Sequence, residues 1–199
     1  MSAVVRRIAL LRAVNVGGRT LKMAELKTVV EALGFSDVRT LLQSGNLTFS
    51  GAEGADAEVE GALEAAIAAR FGFAADVIVR RAEDWAAMIA ANPFAREAAD
   101  DPAHLVAFAL KAAPADGALA RLRAAIKGRE RADLSGRHAW LVYPDGIGQS
   151  KLTIGVIERS LGVRGTARNW NTTLKLAAMA GGTPAPEGGG SFPQPGLGG

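Results

Sequence analysis

The chain contains no cysteine. Disulfides, thiolate nucleophiles, cysteine-ligated zinc and iron–sulfur clusters are therefore excluded from its chemistry. Histidine is nearly as scarce, with only His104 and His138, and neither stands at metal-ligand or triad spacing, so neither a metal nor a cofactor is expected. Aromatic residues make up 6% of the 199 positions while alanine and glycine are abundant, which predicts an aliphatic, finely packed core. Long apolar runs are missing too. Near the start, Arg6-Arg7 precedes only Ile8 to Leu11 before Arg12 interrupts, too short for a secretion signal or a membrane span. A cytoplasmic protein without a membrane partner is expected.

What is present includes an uneven charge. The net value is +3, but residues 1 to 100 carry 11 basic and 13 acidic side chains, against 12 and 7 in residues 101 to 199. Between Arg121 and Lys175 the balance is 11 to 4. Such an excess either attracts phosphate-bearing partners, nucleic acid included, or forms a solvated basic face.

The pattern along the chain is β-α-β-β-α-β, written twice. Arg7 to Val14 reads as a buried strand ending in a turn at Asn15-Val16-Gly17-Gly18. Met23, Leu26, Val30 and Leu33 follow at helical spacing, with Gly34 placed for a left-handed C-cap. Val38 to Gln43 and Asn46 to Ser50 flank a Ser44-Gly45 turn; Leu47 and Phe49 alternate with Asn46, Thr48 and Ser50, giving one polar sheet face. Val59, Leu63, Ile67 and Phe71 mark a second helix before a strand at Asp76 to Arg81.

After a helical stretch around Trp85 to Ala91 and a polar, proline-containing segment, the order repeats. His104 to Leu110 is a strand, and Leu119, Leu122 and Ile126 line a helix. Arg129 to Leu134 pairs with Arg137 to Tyr143 across Ser135-Gly136, and alternation puts Trp140 and Tyr143 on opposite faces. Ile154, Ile157 and Leu161 mark a helix ended by Gly162, and Arg164 to Arg168 is a last strand before a C-terminal helix through Leu174 and Met179. The expectation is an α+β protein of two tandem ferredoxin-like halves, 1–91 and 103–180, joined by a linker at 92–102. The tail 181–199, with eight glycines and four prolines, is expected to be disordered.

In that topology strands one and three are antiparallel neighbours, so Arg12 and Asn15 should meet Ser44 and Asn46 at one sheet end. Either they form a ligand-binding cluster, or Ser44 and Asn46 serve the turn. In the second half, Lys151 stands at a helix start, and Arg168, Asn169 and Asn171 lie between the last strand and the last helix. Cations beside helix starts suit a phosphate or carboxylate; alternatively Asn171 or Thr172 caps the helix, Trp170 fills core and Arg168 pairs with a carboxylate. A Ser150–Lys151 dyad is disfavoured, since neighbours at a helix start do not face one another. Gly17-Gly18 lacks either phosphate-loop spacing. Base stacking on the sheet is poorly served by so few aromatics.

The segments Leu10 to Gly18, Met23 to Leu26, Gln43-Ser44-Gly45-Asn46, Asn92-Pro93-Phe94, Ser150-Lys151 and Arg168-Asn169-Trp170-Asn171-Thr172 resemble, in this order, the bacterial domain-of-unknown-function family numbered 1697. The resemblance runs from about Ile8 to Leu176. It implies paired ferredoxin-like halves and names no substrate or catalytic residue. The family usually has glycine where this chain has Ala13, which implies a strand-end backbone that tolerates a methyl group.

Taken together, these residues favour a protein that binds a small anionic or nucleotide-like ligand in a polar cleft between the halves, through Arg12, Asn15, Ser44, Asn46, Lys151, Arg168, Asn169 and Asn171. The alternative is weak, salt-dependent nucleic-acid binding by the basic second half. Enzymatic activity has no constellation of residues that argues for it.

Overall fold

The computed structural model describes residues 4–15 and 20–181. The turn read at Val16 to Gly18 lies outside them, as does the tail from residue 182 onward.

The first half runs β1 (Val4–Leu11), α1 (Met23–Ala32), β2 (Ser36–Leu41), β3 (Asn46–Ala52), α2 (Asp56–Phe71), β4 (Val77–Arg81), followed by α3 (Ala82–Ala90). A short helix α4 (Ala95–Asp100) leads into the second half: β5 (Leu105–Leu110), α5 (Ala118–Ala125), β6 (Arg131–Ser135), β7 (His138–Val142), α6 (Ile154–Leu161), β8 (Gly165–Asn169) and α7 (Trp170–Met179). Each half folds into a four-stranded antiparallel sheet, in the orders β2-β3-β1-β4 and β6-β7-β5-β8. The expected tandem ferredoxin-like architecture is the one observed.

The first strand pairs Leu10 with Asn46, and Leu11 N–H donates to Gly45 O at 2.8 Å, so the strand-one and strand-three ends do adjoin. β1 stops at Leu11, though, three residues short of the expected end. Ala13 and Asn15 adopt left-handed φ of 54° and 56°, which no strand can continue. The first hairpin also has a longer connection than expected: Leu41 pairs with Asn46, leaving Leu42 to Gly45 as a four-residue loop with positive φ at Leu42 and Gly45. In the second hairpin Ser135 pairs with His138, so the turn residues are Gly136 and Arg137 rather than Ser135 and Gly136. Gly34 and Gly162 end α1 and α6 in left-handed geometry, as their positions predict.

Alternation along the strands sends apolar side chains to both faces of each sheet, and three cores result. Ala9, Leu11, Leu47, Phe49, Val77 and Val79 pack against α1 and α2. Val106, Phe108, Leu110, Leu141 and Tyr143 pack with α5 and α6. The inner faces share the middle core, where Ile8, Leu10 and Ile78 meet Ala107, Ala109, Trp140 and Val142 with Trp85 and Met88 of α3 and Leu176 and Ala177 of α7. Trp140 and Tyr143 thus serve opposite faces, as alternation requires. Buried on both sides, neither sheet keeps a face free for stacking bases.

The polar face of β3 is buried in this middle layer. Asn46 and Thr48 are both 0% exposed. Burial of polar groups is tolerable only with partners, and here they come from arginines. Thr48 accepts from Arg6, and Asn46 accepts from Arg168.

Candidate functional site

Arg168 is the hub at one end of the seam between the halves. Its register partner on β5 is Ala107, which puts its side chain on the inner face. The guanidinium crosses to the first half, donating to Leu11 O at 3.0 Å, Ser44 O at 3.1 Å, Gly45 O at 3.4 Å and the Asn46 side-chain oxygen. It also bonds Thr166 Oγ1 and Ala167 O in its own strand. No carboxylate among the described residues pairs with it, unlike the ion pair that one of the two sequence readings expects. Burial without a counter-ion lowers its pKa to about 10. Asn46 in turn donates to Leu41 O and Ser44 Oγ, closing its own hairpin loop. This end is a closed knot that spends every arm of the guanidinium on protein atoms.

The other first-half residues expected at the site are similarly engaged. Arg12 forms a bidentate pair with Glu158 at 2.8 Å, a second tie between halves that lifts its pKa. Asn15 donates to Gln43 O and accepts from Leu21 N–H, bracing the loop ends. Asn169 is the N-cap of α7, its Oδ1 accepting from Thr172 N–H at 2.9 Å, so the cap is neither Asn171 nor Thr172. Asn171 is exposed. Lys151 lies away from Arg168, in a hollow of about 200 Å³ with Lys127, Glu130, Tyr143, Asp145 and Ser150. Ser150 bonds Glu130, not Lys151. The structure therefore joins Arg168 to Asn46 and Ser44, and leaves Lys151 apart.

Elsewhere along the seam an open cleft of about 320 Å³ is lined from both halves. Arg80, Asp84, Ala87, Met88 and Ala91 come from β4 and α3, and Ser135, Arg137, His138 and Trp140 from the β6–β7 hairpin. Arg80 is 1% exposed and donates to Leu110 O, Arg137 O and Nε2 of His138, the last at 3.1 Å. Burial lowers its pKa to about 10; its carboxylate contact, Glu60, is at 4.0 Å. An arginine donating into Nε2 leaves the histidine proton on Nδ1. Burial, reinforced by Arg80 and Arg137, holds the His138 pKa down to about 3, so the ring stays neutral near pH 7. Arg137 is half-buried and its carboxylate contact, to Asp56, is loose at 3.8 Å. The Trp140 N–H is the one buried side-chain polar atom among the described residues that has no hydrogen-bond partner. One cleft is thus lined by two arginines, a neutral histidine and a tryptophan whose buried indole donor is unpaired.

The model of a protein family of unknown function, DUF1697, matches residues 4–140. The chain belongs to the DUF1697 family. A solved structure of a conserved bacterial protein, SP0830 from Streptococcus pneumoniae, superposes with a TM-score of 0.72 at 21% identity, covering 89% of this chain and 99% of that one. That likeness shows a shared fold for this DUF1697 member. Comparison with curated proteins returned no match. The DUF1697 match takes in the whole seam cleft, from Arg80 to Trp140, but stops before Lys151 and Arg168. No helix among the described residues is long and apolar enough to cross a membrane, and none of their His, Asp and Glu side chains form a group of three able to hold a metal.

Sequence reasoning missed the cleft because its residues carry no local motif. Arg80 and His138 are 58 positions apart and read as ordinary strand residues. One signal was legible: a charged side chain at Arg80 directly after the apolar run Val77 to Val79 and a tryptophan in the strand after the second hairpin both carry polar groups that need a partner.

Proposed function

We propose that the protein binds a small anionic ligand, a phosphate or carboxylate on a compact metabolite, in the cleft between the halves beside Arg80, Ser135, Arg137, His138 and Trp140. The observation that carries this reading is one hollow lined by Arg80, Arg137 and Trp140, the last with an indole N–H that is buried behind the lining and has no partner. An orphan buried donor costs about 1–3 kcal/mol, and an acceptor on a bound ligand would recover it. Two features set the sign of that ligand. Among the described residues Arg80 and Arg137 have no close carboxylate, and the neutral His138 that lines the cleft carries its proton on Nδ1, as a donor. The volume lies at the small end of ligand sites, which favours a compact metabolite over a dinucleotide.

A thermal-shift screen of phosphorylated and carboxylated metabolites tests the reading. A ligand at a hundred times its Kd should stabilise the protein by about 2.7 kcal/mol. Trp140→Phe should weaken that ligand by roughly ten- to a hundredfold, the worth of one hydrogen bond to a charged group. Absence of any stabilisation at millimolar concentration, or a hit indifferent to Trp140→Phe, would overturn it.

Nucleic-acid binding by the basic second half draws less support. Of the cations between Arg121 and Lys175, four pair closely with carboxylates, Arg123 with Asp133, Arg129 with Asp145, Arg131 with Glu97 and Arg164 with Asp76, and Arg137 meets Asp56 loosely. Arg168 is buried. Few cations remain to follow a phosphate backbone.

A further inference from the structure

At the end of the second sheet where β5 begins and β7 ends, two hollows adjoin, sharing Tyr143 and Gly146. The smaller, about 200 Å³, holds Lys127 and Lys151; the larger, about 330 Å³, is lined by His104, Val106, Ile147, Ala167 and Asn169. Together they fall within the range of small-molecule sites.

The chemistry of the two chambers differs. In the smaller one the carboxylates are already engaged: Glu130 accepts from Ser150 and from Gly128 N–H, and Asp145 pairs with Arg129. Lys127 and Lys151 form no ion pair with any described residue; against them stands the Glu130 carboxylate, held only by neutral donors, so the hollow keeps one net uncommitted positive charge. The larger chamber has apolar walls, including Ile147, which is 54% exposed although apolar. Two polar groups border it, both pre-oriented by bonds elsewhere. Nδ1 of His104 sits 2.6 Å from the Asp101 carboxylate, so the tautomer with its proton on Nδ1 presents Nε2 as an acceptor. That Nε2 approaches Gly146, the residue shared by both chambers, within 3.7 Å of where a Cβ would stand. Asn169 uses Oδ1 to cap α7, which frees its Nδ2 donors.

We propose that the paired hollows form a site for a nucleoside monophosphate, separate from the seam cleft and independent of it. The phosphate lies between Lys127 and Lys151. The base occupies the larger hollow against Ile147, Val106 and Ala167, with Nε2 of His104 accepting from it and Nδ2 of Asn169 donating to it. An acceptor beside a donor complements the mixed hydrogen-bonding edge that every nucleobase carries, so the site is expected to select nucleotides as a class more than one base among them.

Calorimetric titration of the full chain with AMP and UMP tests the assignment, with adenosine and inorganic phosphate as partial ligands. The nucleotides should bind at least tenfold more tightly than either fragment, and more weakly as salt is raised. Lys127→Met with Lys151→Met, both exposed positions, should weaken them at least tenfold. Asn169→Ser, which retains an N-capping side chain, should weaken them several-fold while the fold is kept. Trp140→Phe should leave them unchanged. Lack of binding at millimolar nucleotide, binding indifferent to the lysine variant, or binding lost on Trp140→Phe would each overturn the proposal, the last by moving the ligand to the seam.

Discussion

Replacing Arg168 with lysine should damage the protein more than replacing it with methionine, although lysine keeps the charge. Burial shifts the guanidinium from 12.5 to about 10, which corresponds to a desolvation cost of about 3 kcal/mol. Six acceptors offset it. Methionine removes the charge and its cost, and strands chiefly Leu11 O and the Asn46 oxygen; Gly45 O keeps its bond from Leu11 N–H, and Ser44 is exposed to water. At about 1–3 kcal/mol for each stranded group, less the relief, the net loss should be about 1–3 kcal/mol. Lysine retains a buried charge on a single nitrogen with three donors, which cannot serve acceptors spread around a planar fork. An undercompensated buried charge costs about 3–5 kcal/mol, a fall of roughly 6 to 20 °C in Tm for a domain of this size. Urea unfolding followed by tryptophan fluorescence measures both variants. A lysine variant as stable as the parent, or more stable than the methionine variant, would refute the carbonyl-cage account.

The same physics yields further expectations. His138 has a folded pKa of about 3 against 6.5 unfolded, so below pH 6.5 the unfolded chain takes up the proton first and stability is lost as pH falls towards 3. Urea unfolding from pH 7 to 4 should show an acid limb worth about 3–5 kcal/mol when complete, and His138→Gln should flatten it. Gly45→Ala and Gly136→Ala both place a methyl on left-handed backbone. At Gly45, however, the new Cβ would come within 2.7 Å of Leu11 and Val14, whereas at Gly136 it meets nothing within 4 Å. Thermal melts should show a loss of about 2–4 kcal/mol for the first and about 1 kcal/mol for the second. Ala13→Gly, at a φ of 54°, should raise stability by about 0.5–1 kcal/mol in the same assay.

That Ala13 expectation shows what the sequence could and could not tell. The departure from the family glycine was visible at once, and the tolerance of a methyl group could be stated; only the backbone shows that the methyl sits in left-handed geometry. The sheets were readable because period-two alternation and the repeated hairpins are local signals. The strand ends were not, because β1 stops where Ala13 and Asn15 turn left-handed, and neither residue announces that. The helix in 95–100 was missed because Ala95 to Asp100 contributes no buried residue and so no periodic signature.

The polar face of β3 carries the larger lesson. Asn46 and Thr48 read as one polar sheet face, and that face is buried because a second copy of the same architecture covers it. The duplicated inner faces meet through arginines placed on opposite halves: Arg168 reaches from β8 to the β1 and β3 ends, and Arg80 reaches from β4 to the β5 end and the β6–β7 turn. Each donates mainly to carbonyls, which are fixed by the sheets themselves. One of these contacts closes completely. The other also bonds all three Arg80 nitrogens but leaves the neighbouring Trp140 indole donor unpaired and a cleft beside it, so a near-symmetric docking problem has been solved fully at Arg168 and incompletely beside Arg80, where the proposed ligand would complete the hydrogen bonding.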